Sequence, residues 1–152
     1  MTKSPVDFAR ENPTMFLAGG VVDLRDFAGA LITDALVLDA HPVVAEITQD
    51  GWYIVAAEED WIKKECRYSV FDSFYRLQIF HKHQQNSNRA NLMITAFTKR
   101  VVTFGVDGKT IVKGGDLDLY ELERLVFNKY EGYRVVAFCG IDPPDVGLGK
   151  PT

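Results

Sequence analysis

Apolar residues recur at helical spacing most clearly between Asp23 and Leu38. They share one face of the predicted helix, at positions 24, 27, 28, 31, 32, 35 and 38. Asp23 can serve as the N-cap, and His41-Pro42 ends the segment because a residue before proline is pushed out of the helical conformation. The pattern therefore predicts a long amphipathic helix, the clearest element of the chain.

Shorter helices are predicted on both sides of this one. Ser4-Pro5 begins a helix that runs to about Glu11, since serine suits the N-cap and proline suits the first helical position. Apolar residues of mixed periodicity predict a helix over 70–80, and the polar run 81–88 predicts a loop. Two further helices are predicted, one over 90–97 with Asn86, Ser87 or Asn88 as cap, and one holding Leu119, Leu122, Leu125 and Val126 with Asp116 or Asp118 as cap.

Asp-Gly turns mark two predicted hairpins, at Asp50-Gly51 and at Asp107-Gly108. Each turn lies between runs rich in β-branched and aromatic residues, which is the strongest short-range signal for a hairpin. The paired runs are 43–47 with 52–56 and 101–106 with 110–112, and a last strand is predicted over 133–138.

These elements predict an α+β fold. Its simplest form is a two-layer sandwich of a mixed, mostly antiparallel sheet with helices on one face. The chain has 152 residues, the usual size of one domain. We assign residues 1–140 to that domain and residues 141–152, which are rich in proline and glycine, to a C-terminal tail.

Charge and hydropathy narrow the classes of partner. The formal net charge is −4, and no basic run is longer than the pairs Lys63-Lys64 and Lys99-Arg100. Nucleic-acid binding takes a basic stripe and is therefore disfavoured, and it stays only as the third and weakest of the functions considered. The N-terminal segment lacks the apolar stretch of a signal peptide, and no run reaches the ~18–20 apolar residues that span a bilayer. We expect a cytoplasmic protein with no membrane association.

Candidate metal ligands do not form a convincing set. Cys66 and Cys139 match no zinc or redox spacing and are expected to be reduced thiols. The three histidines have no nearby acid or cysteine to complete a site, and Glu58-Glu59-Asp60 lacks the alternating ligands of a calcium loop. We therefore expect no metal and no cofactor.

Three blocks of the chain carry a family resemblance through their order and spacing. The first is ARENPTMFL at 9–17, the second comprises DFAGALITDAL, VVAEITQDGWYIV and AAEEDWI within 26–62, and the third is NRANLMITAFTKRVVTFGVDGKTIVKG at 88–114. In this order they resemble the ATP-binding domain of the DNA gyrase B-type proteins and their GHKL relatives. The matching family features are the "MYIG" run, the long helix with its "E-x-x-x-N" motif, the "D-x-G-x-G-I" loop and the "VVNALS" helix. The resemblance implies a Bergerat (GHKL) ATPase-like fold.

The resemblance also implies that the nucleotide chemistry is lost. Asp26 stands at the family's catalytic glutamate, and Ala30 stands at the asparagine that holds magnesium, where alanine offers no oxygen. Ala57 replaces the aspartate that reads adenine, and Trp61 replaces a loop glycine. The glycines that would wrap phosphates are absent before Asn91. Asp26, Ala30, Ala57, Asp60, Trp61 and Asn91 therefore form a predicted vestigial pocket with no catalytic residue.

These replacements lead to an expected function. We expect no ATP binding, and a protein–protein interaction or regulatory role through homodimerisation, control of a true ATPase or an accessory part in a bacterial operon. The alternative is a small-ligand binder or enzyme that reuses the pocket through Asp26, Asp60 or a histidine. Filling of the pocket by Trp52 or Trp61 would count against that alternative.

Overall fold

The computed structural model describes residues 4–78, 89–115 and 119–144. Two 3₁₀ turns, Pro13–Met15 and Ala18–Gly20, lie between the first two helices. The helices are α1 (Pro5–Glu11), α2 (Leu24–Val37), α3 (Val70–Ser73), α4 (Ala90–Phe97) and α5 (Tyr120–Leu122, continued by a π-helical turn over Glu123–Phe127). The strands are β1 (Val43–Ile47), β2 (Tyr53–Ala57), β3 (Thr98–Gly105), β4 (Gly108–Lys113) and β5 (Arg134–Ile141).

The cap and turn signals are confirmed for α1, α2 and both hairpins. The Ser4 hydroxyl accepts a hydrogen bond from the Asp7 amide at 3.1 Å, and the Asp23 carboxylate accepts one from the Arg25 amide at 2.9 Å. Gly51 and Gly108 have φ of 93° and 103°, the left-handed region that their turns require of glycine. Local chemistry is therefore enough to set these bounds.

The helix predicted over 70–80 is wrong for residues 74–78. α3 ends at Ser73, and a turn follows. Phe74 is fully buried while Leu77 is 49% exposed, so the apolar residues after Ser73 do not share one helical face. Residues 79–88, which include the predicted loop and the proposed caps of α4, lie outside the described residues, as do Asp116 and Asp118.

The strands form one five-stranded sheet in the order β1-β2-β5-β3-β4. All four pairings are antiparallel, so the sheet is wholly antiparallel in the described part of the chain. This corrects the prediction of a mixed sheet. β5 lies between β2 and β3 and separates the two hairpins. β1 and β4 are the edge strands.

Helices cover both faces of the sheet, which corrects the prediction of helices on one face. One core joins the first four helices to Val55, Val101 and Phe138, and a second core lies under α5 against Ile54 and Val102. The physical reason is the composition of the central strands, where consecutive residues are apolar and so both faces need cover. The molecule therefore has three layers.

The predicted tail begins with the last residue of β5 and continues into contacts with α4 and α1. Ile141 is the last residue of β5, and the Asp142 amide donates to the Phe97 carbonyl at 2.9 Å. The Arg10 guanidinium donates to the Pro143 carbonyl at 2.6 Å. Residues 145–152 lie outside the described residues. No helix among the described residues has the length and apolar character needed to cross a membrane.

Candidate functional site

Three segments that carry the predicted pocket residues meet beside α2. They are the α2 stripe Asp26-Ala30-Asp34, the loop that follows Ala57 and the N-terminus of α4. Residues spaced by four lie one above another on a helix, so the stripe runs along one side of α2. Asp26 is exposed, Ala30 is half-buried and Asp34 is buried. The stripe therefore becomes more enclosed towards α4.

Asp34 joins α2 to α4 at the enclosed end of this stripe. Its carboxylate accepts a hydrogen bond from the Ala90 amide at 2.7 Å, which satisfies one of the free donors at the start of α4. Burial raises the pKa of Asp34 to about 7, although the Ala90 amide and the Arg89 charge act in the opposite direction. A carboxylate from a different helix thus bonds the first amide of α4, and the predicted caps Asn86, Ser87 and Asn88 lie outside the described residues.

Arg89 connects the start of α4 to the loop after β2. Its guanidinium donates to the Lys64 carbonyl at 2.5 Å and to the Ile62 carbonyl at 3.4 Å. The Lys64 ammonium in turn donates to the Leu38 carbonyl at the end of α2, at 2.8 Å. The three segments are therefore held together by main-chain carbonyls that accept from two cations.

Ala57 and Trp61, two of the predicted pocket residues, are buried in the protein. Ala57 ends β2 with no exposed surface, and Trp61 is 1% exposed within the core that also contains Phe27 and Leu31. The indole nitrogen of Trp61 has no hydrogen-bond partner among the described residues, so the ring is held by packing alone. Trp52, the other candidate for filling the pocket, lies on the opposite face of the sheet beneath α5.

The Asp60 carboxylate lies beside Arg134, the first residue of β5. Both of its oxygens accept hydrogen bonds from Arg134, from Nε at 2.9 Å and from Nη2 at 2.7 Å. Asp107 in the β3–β4 turn accepts from the same Nη2 at 2.9 Å, and the Thr103 hydroxyl accepts from Nη1 at 3.2 Å. Arg134 is 2% exposed, so this cluster ties the loop and the second hairpin to the middle of the sheet.

Glycine is required beside this cluster. A Cβ placed on Gly105 would lie 2.8 Å from Cζ of Arg134. Since the guanidinium is held by two carboxylates and a hydroxyl, it cannot move aside without breaking those bonds. Gly105 therefore leaves the space that the buried cation occupies.

Asn91 also has a structural partner. Its amide donates to the Ser73 hydroxyl at 3.3 Å, and that hydroxyl donates to the Val70 carbonyl at 2.6 Å. Asn91 is 1% exposed. It joins α4 to α3 and presents no free amide to a ligand.

The residues present do not fit a magnesium–nucleotide complex. Ala30 has no ligand atom, and the only carboxylates on the stripe are the exposed Asp26 and Asp34, which is already bonded to the Ala90 amide. Across residues 4–78, 89–115 and 119–144, no three histidine, cysteine or acidic side chains are grouped as a metal site would require. Trp61 fills core volume beside these residues and leaves no open space there for a nucleotide.

Asp34, Arg89 and Arg134 are buried charged residues whose roles were not predicted from the sequence, and two of them carried a signal. Asp34 lies among the apolar positions Leu31, Ala35 and Leu38 of α2, and a carboxylate on a buried stripe is a signal for a tertiary partner. Arg134 begins an otherwise apolar strand, and an arginine there needs acids nearby. Neither signal identifies the partner, because both partners are distant in sequence.

A groove of about 470 Å³ lies on the opposite side of α2 from the stripe. It is bounded by α2 and by the edge strand β1, and none of the predicted pocket residues lines it. Its lining residues are Arg25, Ala28, Gly29, Ile32, Ala45, Glu46, Ile47, Tyr53 and Ile54.

Comparison of the chain with protein-family models, with curated proteins and with solved structures found no match in any of the three.

Proposed function

We propose that the chain is a catalytically inactive GHKL-like domain that acts through protein–protein contact. The observation that carries this proposal is the burial of Trp61, which is 1% exposed at a position corresponding to a loop glycine of the family. A glycine there lets a nucleotide approach the main chain, whereas an indole fills that volume with protein. The indole of Trp61 thereby stabilises the fold without a bound nucleotide.

The other predicted pocket residues support the same proposal. Asp60 is neutralised by Arg134 and Asn91 is bonded to Ser73, so neither is available to a substrate. Asp26 is exposed and Ala30 is apolar, and a lone exposed carboxylate does not hold magnesium. The alternative of a small-ligand site at the same place has less support, because Asp60 is bonded to Arg134 and Asp26 is exposed.

Calorimetric titration with ATP and Mg²⁺ tests the proposal. We expect no saturable heat with the native chain at millimolar nucleotide. The variant Ala30→Asn, which restores the family's amide on a half-buried position, is a matched control and is expected to remain silent because Ala57 and Trp61 are unchanged. Saturable, magnesium-dependent binding by the native chain would overturn the proposal.

A further inference from the structure

Among the described residues no strand pairs with the outer edge of β1, and the hydrogen-bonding groups of that edge can be assigned residue by residue. The Thr48 amide donates to the Trp52 carbonyl at 2.8 Å, so it faces β2. Amides alternate in direction along a strand, and those of Val44 and Glu46 therefore also face β2. The amides and carbonyls of Val43, Ala45 and Ile47 face outwards, away from the sheet.

This outer edge is self-complementary about Ala45. If a second β1 lies antiparallel to it, Ala45 faces its own copy and Val43 faces Ile47 of that copy. Val43, Ala45 and Ile47 are the three residues with outward main-chain groups, so each of these facing pairs would be a hydrogen-bonded pair. A two-fold axis through Ala45 would join two five-stranded sheets into one.

The position of α2 beside β1 would bring it to packing distance from a second α2 across the axis. α2 packs on β1 and β2, and neighbouring strands are about 4.8 Å apart, so α2 and its copy would lie about 10 Å apart across the axis. Helices pack at roughly 8–10 Å. The groove is lined by the small residues Ala28 and Gly29, and a Cβ on Gly29 would meet no atom within 4 Å. Side chains of the second α2 can therefore enter it.

Apolar exposure and charge match the same arrangement. Ile47 is 57% exposed on β1 and Leu36 is 52% exposed on α2. The end of α2 leads within a few residues into the start of β1, so α2 runs antiparallel to β1 and Arg25 lies near the Ile47 end of the strand. In the two-fold pair Arg25 then faces the C-terminal end of the other α2, where helix carbonyls and the exposed Asp39 favour a cation.

We infer that the partner of this surface is a second copy of the chain, joined through β1 and α2 into a continuous ten-stranded sheet. This inference rests on the proposed function and names the partner for it. An extended peptide could occupy the strand edge but would leave the α2 groove unfilled. The surface offers fewer than the roughly 20–30 residues a side of a standard interface, so we expect a reversible dimer of micromolar affinity.

Sedimentation equilibrium of the full chain over a concentration series tests the dimer. We expect Ala45→Pro to weaken association at least tenfold, since it removes an outward amide that the sheet does not use and the monomer should keep its circular dichroism. Ile47→Lys should also weaken it. The matched change Val106→Lys, on the far hairpin at a residue that is 92% exposed, should not. A native chain that stays monomeric at hundreds of micromolar overturns the inference.

Cysteine crosslinking tests the register, in a background where Cys66 is serine. Ala45→Cys should form an intermolecular disulfide on mild oxidation, because facing hydrogen-bonded residues have Cα atoms about 5.5 Å apart, within reach of a disulfide. Ile47→Cys, on the same side of the strand but four residues from its copy in register, should not crosslink. Crosslinking of Ile47→Cys alone would overturn this register. If the chain neither dimerises nor binds nucleotide, this inference fails and the proposed function still stands. If the chain binds nucleotide, the proposed function itself fails.

Discussion

At the scale of single residues, the interior of this protein is organised by a few buried polar groups. Arg134 is a fully buried cation whose charge is shared by two partly exposed carboxylates and a hydroxyl. Asp34 is a buried carboxylate with one main-chain donor. A buried charge without such partners would cost several kcal/mol, so these contacts determine which segments must lie together. The segments they join are the loop after β2, the second hairpin, α2 and α4.

Asp34 should make stability depend on pH. Its pKa is raised from the ordinary value to about 7, so between about pH 4 and pH 7 the native state binds more protons than the unfolded chain. The stabilising contribution is present below pH 4 and is lost as pH rises to 7, by on the order of 4 kcal/mol. Asp34→Asn should lack this loss. Urea unfolding of both proteins at pH 5 and pH 8 measures the difference, and parallel pH profiles would contradict the assignment.

Trp61 should contribute strongly to stability through volume. Trp61→Ala leaves a core cavity and is expected to cost about 3–5 kcal/mol. Trp61→Phe keeps most of the ring and removes an indole N–H that has no partner among the described residues, so its cost should be much smaller. Urea unfolding followed by circular dichroism gives both values. A loss below about 1 kcal/mol in Trp61→Ala would show that the ring does not fill the core.

At the scale of elements, cap and turn residues predict where helices and hairpins begin and end. Contacts between residues distant in sequence determine how those elements pack together. Ser4, Asp23 and the two Asp-Gly turns act within a few residues, and the elements that they begin or join were predicted from sequence. The bond from the Ala90 amide to Asp34 was not predicted, because Asp34 is separated from Ala90 by 56 positions. The partners of Arg134 are likewise 74 and 27 positions away.

The sequence did not predict which side of α5 packs on the sheet, because Leu125 and Val126 both belong to its apolar pattern. The structure buries Val126 completely against the second face of the sheet and leaves Leu125 47% exposed. Val126→Asp should therefore cost several kcal/mol by burying an unpaired charge, whereas Leu125→Asp should change stability by about 0.5 kcal/mol or less. Chemical unfolding of the two variants compares them, and equal losses would contradict the placement of α5.

At the scale of the whole molecule, the α+β class was predicted and the number of layers was not. Consecutive apolar residues in β2, β3 and β5 require cover on both faces, so α5 completes a third layer. The predicted pocket residues lie on three segments that do meet, yet their side chains are buried, bonded or exposed separately. Composition and motif order do not reveal the roles of Trp61 and Arg134, because those roles depend on packing and on partners that are distant in sequence.

We propose that this domain has no nucleotide site. Proton–nitrogen NMR spectra of the full chain, recorded while ATP and Mg²⁺ are added to millimolar concentration, test it at the site itself. The amides of residues 26, 30, 57, 60, 61 and 91 are expected to keep their positions throughout the titration. Saturable, magnesium-dependent shifts centred on those residues would contradict the claim.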